Sequence, residues 1–393
     1  VVLSGVGGTA ASGTVTVSGV DGTAASGTVT LGGEAGDVTI VTDGTSVGPV
    51  SFNTSDAQTA LDCITALNAD GTFAAKATAS NGGSGVVLIT WDTKGTVGNS
   101  KTLTASRTAG TATASGATLS GGANNTVTVT VDGTAVGTDT TTLSNNDAAT
   151  AIAAALQANG TFAAKASASA ATNVVTITWD TKGTVGNSKT LVAATTTGTA
   201  TASGATLASG AQGSVGVTVG GTLVTTDTTN LSDSASATAV AAALDGNATV
   251  FALVDSSASV ATVTLVAQAK GVAGDDITLS ATSATGTATT SDSTLLGGAD
   301  GSVTVTINGT AVVTDTTNLS DTASATAVVS EVNGDATAST YVTASSSGAV
   351  VTLTANVSGT AGNTVTLSSS SATGTAVSSS ATLSGGSETT YTL

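Results

Sequence analysis

Along most of this chain apolar and polar residues alternate one for one, and at regular intervals a single helical stretch interrupts the alternation. Thr126–Val131 reads TVTVTV, the period-two pattern of a half-buried strand. Asp132-Gly133 then supplies a hairpin turn into a second strand from residue 134. After a polar loop, SNND at residues 144–147 offers N-cap oxygens to a helix read as AATAIAAALQAN. Ala148, Ala151, Ile152, Ala155 and Leu156 fall at helical spacing and predict one buried stripe. Asn159-Gly160 ends that helix. Strands are then expected at 161–169, with Phe162, Ala164, Ala166 and Ala168 on one face, and at 173–179, with Val175, Ile177 and Trp179 on one face. A glycine loop at 183–187, a strand at 189–194 and a last segment at 199–207 close the unit.

This order, β-β-α-β-β-β-β, recurs. WDTKGTVGNSKTL stands at residues 91–103 and again at 179–191, and its glycine loop starts at Gly95, Gly183, Gly271 and Gly359, 88 residues apart each time. A fixed long period marks a tandem array. The expected fold class is α+β and β-rich, with four modules of about 88 residues, each a small, mainly antiparallel sheet with one helix, arranged as a rod or filament subunit. Boundaries are placed at 36–123, 124–211, 212–299 and 300–393, behind a partial repeat or N-terminal β segment at 1–35. GTAASGTVTL at 22–31 aligns with GTATASGATL at 110–119, and the same pattern stands 14 residues earlier at 8–17. The chain therefore reads as beginning inside a repeat, as a processed product or a portion of a longer polypeptide. In the first module the helix is expected at 56–68, with Ala57, Ala60, Leu61, Ile64 and Leu67 inward. The third and fourth modules share TDTTNLSD at 226–233 and 314–321.

Composition narrows the chemistry. Aromatic residues are 2% and charged residues 8%, with one Pro, one Cys and no His or Met. Small and β-branched side chains suit sheets and turns but bury little area each, so each core is thin. The net charge is −17, and seven of the eight basic residues precede residue 190. An acidic chain without basic patches argues against nucleic-acid partners. No apolar run is long enough to insert in a membrane as a helix. Cys63 alone leaves the redox compartment open.

Candidate sites are few. Asp227, Asn230 and Asp233, with Asp315, Asn318 and Asp321 equivalent, present oxygen ligands that calcium favours. Their spacing is not that of an EF-hand, and Asp233 and Asp321 also suit helix starts. Asp275-Asp276 is a weaker candidate pair. The GTVGN loop lacks the Lys-Ser/Thr ending of a phosphate loop and lies between strands, so its glycines read as turn formers. Without His no Ser-His-Asp or Cys-His arrangement can be built, and no catalytic residue or other cofactor is assigned. Lys76 and Lys165 follow Phe73 and Phe162 and could enter an isopeptide crosslink or discourage edge pairing. Cys63 sits at the edge of a helix stripe. Trp91 and Trp179 read as core residues, with sugar binding as the alternative. Sequons at Asn124, Asn308 and Asn356 are those expected by chance in so Thr/Ser-rich a chain.

The series of an AAIAAAL-type helix, a FAAKASAS strand, a NVVTITW strand, the KGTVGN loop and a closing ATLSGGA-type segment, strongest over residues 174–211, resembles the small β/α insertion domain of contractile-phage tail sheath proteins and related phage virion proteins. More loosely it is similar to the hook-IN motif of flagellins, and in composition to bacterial adhesin stalks and S-layer repeats. The resemblance implies a non-enzymatic module displayed on an assembly. The module here stands in tandem without a sheath core domain, which favours a fibre, decoration or filament. The expected function is a structural repeat protein of an extracellular or virion-surface filament, its partners itself and other virion or cell-surface proteins. The alternative is an adhesin stalk or S-layer-type spacer presenting a binding domain elsewhere. A carbohydrate-binding module or a glycan hydrolase is a weaker reading, the latter requiring a carboxylate pair in a pocket.

Overall fold

A computed structural model describes residues 1–33 and 35–387. Glu34 and the last six residues of the fourth expected module lie outside the described residues. The protein is α+β and β-rich, built from small antiparallel sheets and one long helix per module. The contacts divide it into two compact units, residues 9–211 and residues 1–8 with 212–393.

The unit of residues 9–211 contains two modules. In module 1 the strands Thr45–Val50, Val38–Thr42 and Leu103–Arg107 form one three-stranded sheet. In module 2 the equivalent sheet is Thr134–Asp139, Thr126–Val131 and Leu191–Thr195. Helices Asp56–Ala69 and Asn145–Ala158 each pack on strands of this sheet and of a second one. Each helix starts where the sequence offers a cap, Ser55 accepting from the Gln58 amide and Ser144 from that of Asp147, which satisfies an otherwise orphaned donor.

Two details differ from the sequence reading. Residues 161–169 are not one strand: Gly160–Ala163 is a short helical turn and the strand runs Ala166–Ala171. The Asn159 side chain accepts from the amides of Thr161 and Phe162 and so restarts a helix that its backbone has just ended. Asp70 does the same ahead of Phe73. Both phenylalanines are thereby driven into the core. The helix stripes are also turned slightly. Ala149 and Ala153 are buried rather than Ala151 and Ala155, and in module 1 Cys63 is buried while Leu61 is 41% exposed. In so Ala-rich a helix several faces have nearly equal hydrophobicity, and packing chooses among them.

The second sheets of modules 1, 2 and 3 depend on the N-terminal segment, whose three strands are β1 (Val2–Ser4), β2 (Ala10–Ser18) and β3 (Ala24–Gly32). In module 1, β3 lies between Val86–Lys94 and Thr111–Ala114, with Ala77–Gly83 outside. In module 2, β2 lies between Val174–Lys182 and Thr199–Ala202, with Ala166–Ala171 outside. The copies of the GTA-ASG pattern that align in sequence are thus side by side in space, Thr30 opposite Thr113 and Thr16 opposite Thr201.

Each inserted strand carries alternate residues into a core. Ala11, Val15 and Val17 of β2 join Trp179, Ile177, Leu191 and Leu207, and Ala25, Val29 and Leu31 of β3 join Trp91, Ile89, Leu103 and Leu119. A glycine is required midway: a Cβ on Gly13 would stand 2.7 Å from Leu191 and 2.9 Å from Leu207, and one on Gly27 would meet Leu103 and Leu119 at 2.8 and 3.0 Å. Asn125, fully buried, holds the turn after β2, donating to the Val20 carbonyl and to Thr140 while its Oδ1 accepts from the amides of Thr196 and Thr197 at 3.1 and 2.8 Å.

The other unit contains modules 3 and 4. In module 3 the three-stranded sheet is Thr222–Asp227, Ser214–Val219 and Leu279–Ser283, and β1 lies between Thr262–Ala267 and Thr287–Thr289. In module 4 the corresponding three-stranded sheet is Thr310–Asp315, Ser302–Ile307 and Leu367–Ser371. Its second sheet has only two strands, Val342–Ser347 and Val350–Ala355.

Candidate functional site

The glycine loop recurs as a tight turn at the edge of the second sheet. Gly95, Gly183, Gly271 and Gly359 all have φ between 77 and 95°, a region open to glycine and strained for other residues. A short 3-10 turn follows, and in module 2 the Asn187 side chain donates to the Gly210 carbonyl at 2.9 Å and accepts from its amide at 2.8 Å. Asn99 with Gly122 and Asn363 with Gly386 repeat this two-way clamp, whereas Asp275 keeps only the bond from Gly298. The loop's amides are therefore engaged by the chain itself: Gly183 donates to Thr9 of the inserted segment, and Gly95 to Thr23. The geometry is a clasp that fixes the closing segment of the module. Asn187→Ala removes both bonds and is expected to cost about 1–3 kcal/mol. Asn187→Asp, which keeps the bond from the Gly210 amide, should cost less, and comparing their thermal melts followed by Trp179 fluorescence checks the ordering.

The six calcium candidates are placed as turn and cap residues. Asp227 accepts from the Thr229 amide at 2.9 Å and its hydroxyl at 2.6 Å, and Asp315 accepts from the Thr317 amide at 2.9 Å. Asp233 and Asp321 open the helices Asp233–Gly246 and Asp321–Gly334. The carboxylate of Asp233 also accepts from the amides of Gly5 and Val6, tying down the chain just after β1. Asn318 accepts from the Lys270 amide, and Asn230 lies in the turn between Asp227 and the helix. Asp227 and Asp233 are thus engaged by different parts of the chain, the Thr229 turn and the residues after β1. Among the described residues, no group of three or more His, Cys, Asp or Glu could hold a metal ion.

Hydrogen bonds from Thr229, through its hydroxyl and then its amide, hold the Asp227 carboxyl below the ordinary carboxylate range, and those from Thr141 do the same for Asp139. For Asp315 the Thr317 amide is the larger cause and its hydroxyl the smaller. A carboxylate depressed on folding favours the folded turn above its unfolded value, near 3.9, and that contribution is lost as pH falls through the lower folded value. Hydrogen exchange at the Thr141, Thr229 and Thr317 amides is expected to be flat from pH 7 to about 5, after correction for intrinsic rates, and to loosen only below about 3.9.

The remaining candidates are structural as well. Trp91 and Trp179 are 6% and 7% exposed, with Lys101 and Lys189 lying 4.9 and 5.0 Å from their ring centres, so they are core residues with a cationic cover. Lys76 donates to Thr45 and Lys165 pairs with Asp132 at 3.7 Å, so each amine has a polar partner on the neighbouring three-stranded sheet. Cys63 is buried, and burial raises its thiol to about 11, far from the thiolate that would make it reactive. The sequence reading missed Arg107. Its side chain is fully buried, donates to Asp56 at 2.6 Å and to the Gly32 carbonyl at 3.1 Å, and lies 5.5 Å from the Phe52 ring centre. No motif marks it; its place as the one Arg in a chain so poor in charge was the available signal.

No family model matches the chain, and no curated protein matches it. Among solved structures, the flagellar cap protein FliD from Helicobacter pylori aligns with 10% identity over 76% of this chain and 84% of that one, at a TM-score of 0.13. A superposition that loose carries no argument about fold or function. No helix among the described residues is long and apolar enough to cross a membrane.

Proposed function

We propose that this chain is a non-enzymatic structural protein of an extracellular or virion-surface filament or fibre, acting through assembly of its β-rich modules with copies of itself and with other surface proteins. One observation carries the reading: sheets here are completed by strands brought in from a distant part of the sequence, as β3 and β2 complete modules 1 and 2. A fold whose sheets take up foreign strands is suited to joining subunits by strand addition. Several side chains singled out for chemistry support the same view: Asp227 serves a turn, Asn187 a clasp, and Trp91, Trp179 and Cys63 a core. The resemblance to phage virion modules agrees with this reading and rests on the residues that carry it.

A stalk or spacer is the second reading, favoured by the way one segment crosslinks modules 1 and 2 within a single chain. Electron microscopy of the purified chain across a concentration series separates them. Ordered filaments or regular arrays are the expected result. Isolated particles at every concentration, with or without calcium, would sink the assembly reading and leave the spacer.

A further inference from the structure

Four modules present the same acceptor, and the chain's described strands serve three. Modules 1 and 2 receive full-length donors, β3 and β2. Module 3 receives the three residues of β1, and in module 4 no described strand lies along the free side of Val350–Ala355. The burial of equivalent residues follows this series. Ile89 and Ile177, Leu103 and Leu191, and Leu119 and Leu207 are all at most 1% exposed. Their counterparts Leu265, Leu279 and Leu295 in module 3, and Leu353, Leu367 and Leu383 in module 4, are only partly buried.

A second observation is independent of burial. The strands Thr111–Ala114, Thr199–Ala202 and Thr287–Thr289 pair with the donors alone, and module 4 has no strand at the equivalent residues 375–378. Where the donor would run, a cleft of about 320 Å³ is lined by Leu353, Ala355, Gly362, Leu383 and Gly386. In module 2 the same place is filled by Ala11 over Gly186 and Gly210 and by Gly13 over the two leucines.

We propose that module 4 is a strand acceptor: the free edge of Val350–Ala355 and the cleft beside it take one extended strand of the pattern Ala-x-Gly-Thr-Val-Thr-Val from a neighbouring, non-identical subunit. This rests on the assembly reading and names its partner chemistry. Three arguments fix the occupant. First, the thread cannot slide along to fill module 4, because only residues 33–37 link β3 to the strand Val38–Thr42 of its own module. Second, trading strands between identical copies adds no pairs, since among the described residues each copy has the same three donors and four acceptors. A net gain requires a subunit with a strand to spare. Third, the residue facing Leu367 and Leu383 must be glycine, as Gly13 and Gly27 are over the equivalent leucines, so the Val- and Leu-bearing edge of another module 4 does not fit.

The test uses the whole chain and the synthetic peptide TAASGTVTVS, the sequence of residues 9–18. Saturable binding of one peptide per chain is expected, with hydrogen-exchange protection at Val350–Ala355 and new protection at 375–378, where the fourth strand should form. The same peptide carrying Gly13→Val should bind about tenfold more weakly or worse, and the comparison leaves the protein unaltered. No saturable binding, equal binding of the valine peptide, or protection confined to module 3 would overturn the acceptor site. Protection of Val350–Ala355 that rises with concentration of the chain alone would make a second copy the occupant and overturn the non-identical partner. Filaments seen without peptide binding would leave the assembly reading intact and remove this site. Peptide binding by a chain that never assembles would do the reverse.

Discussion

A chain shortened to begin at Gly33 loses the near-ultraviolet signature of both tryptophans at temperatures where the full chain keeps it. The deletion removes Val29 and Leu31 from the core of module 1 and Val15 and Val17 from that of module 2, all of them at most 5% exposed. At roughly 1.5–3 kcal/mol for each fully buried aliphatic side chain, each module loses on the order of 3–6 kcal/mol from burial alone. It also loses the pairing of both flanking strands. A small domain has only about 5–15 kcal/mol in total, so modules 1 and 2 should unfold or stay molten. Trp91 and Trp179 report on one module each, while module 4, which holds none of the three N-terminal strands, is the internal control and should keep its exchange pattern. Peptides of residues 9–18 and 23–32 added in trans should restore the signal. An unchanged melt would mean that β2 and β3 decorate sheets stable without them.

Asp56→Ala should be nearly as damaging, and in module 1 alone. The substitution leaves the buried Arg107 guanidinium without its carboxylate, and removing one member of a buried pair costs about 3–5 kcal/mol. Asp56 is also the first residue of its helix, capped by Ser55, where a negative charge is favourable. The Trp91 transition should move to lower temperature while that of Trp179 stays. Replacing Asp56 and Arg107 together by Ala and Met should recover part of the loss, because no uncompensated charge then remains buried. A double variant no better than Asp56→Ala would place the cost in the helix start instead.

Much of the module could be read from the residues. The 88-residue step, the Asp-Gly hairpins, the serine-capped helix and the buried tryptophans all follow from patterns local to a few turns of chain. The destination of the N-terminal strands could not be read in this way. TAASGTVTV alternates like any half-buried strand, and backbone pairing carries no address in sequence. What selects the partner is the fit of Gly13 over Leu191 and Leu207, residues 178 and 194 positions away. Asp233 looks like a helix start or a ligand, and its carboxylate meets the amides of Gly5 and Val6, which nothing in TDTTNLSD announces. Phe162 reads as a strand residue because its neighbours alternate, whereas the Asn159 side chain bends that stretch into a turn.

Donors at the start of the chain impose an order on biosynthesis. The ribosome releases β1, β2 and β3 before any sheet that will hold them, and β1 waits until Thr287–Thr289 has emerged. During that interval three unpaired strands are exposed to every other nascent chain, the condition under which edges aggregate. Their composition suits the wait: Gly, Ala, Ser and Thr separate the few valines, so each strand is a weak hydrophobe until a preformed groove supplies the other half of its core. Maturation then runs backwards along these residues, with β3 locked in first and β1 last.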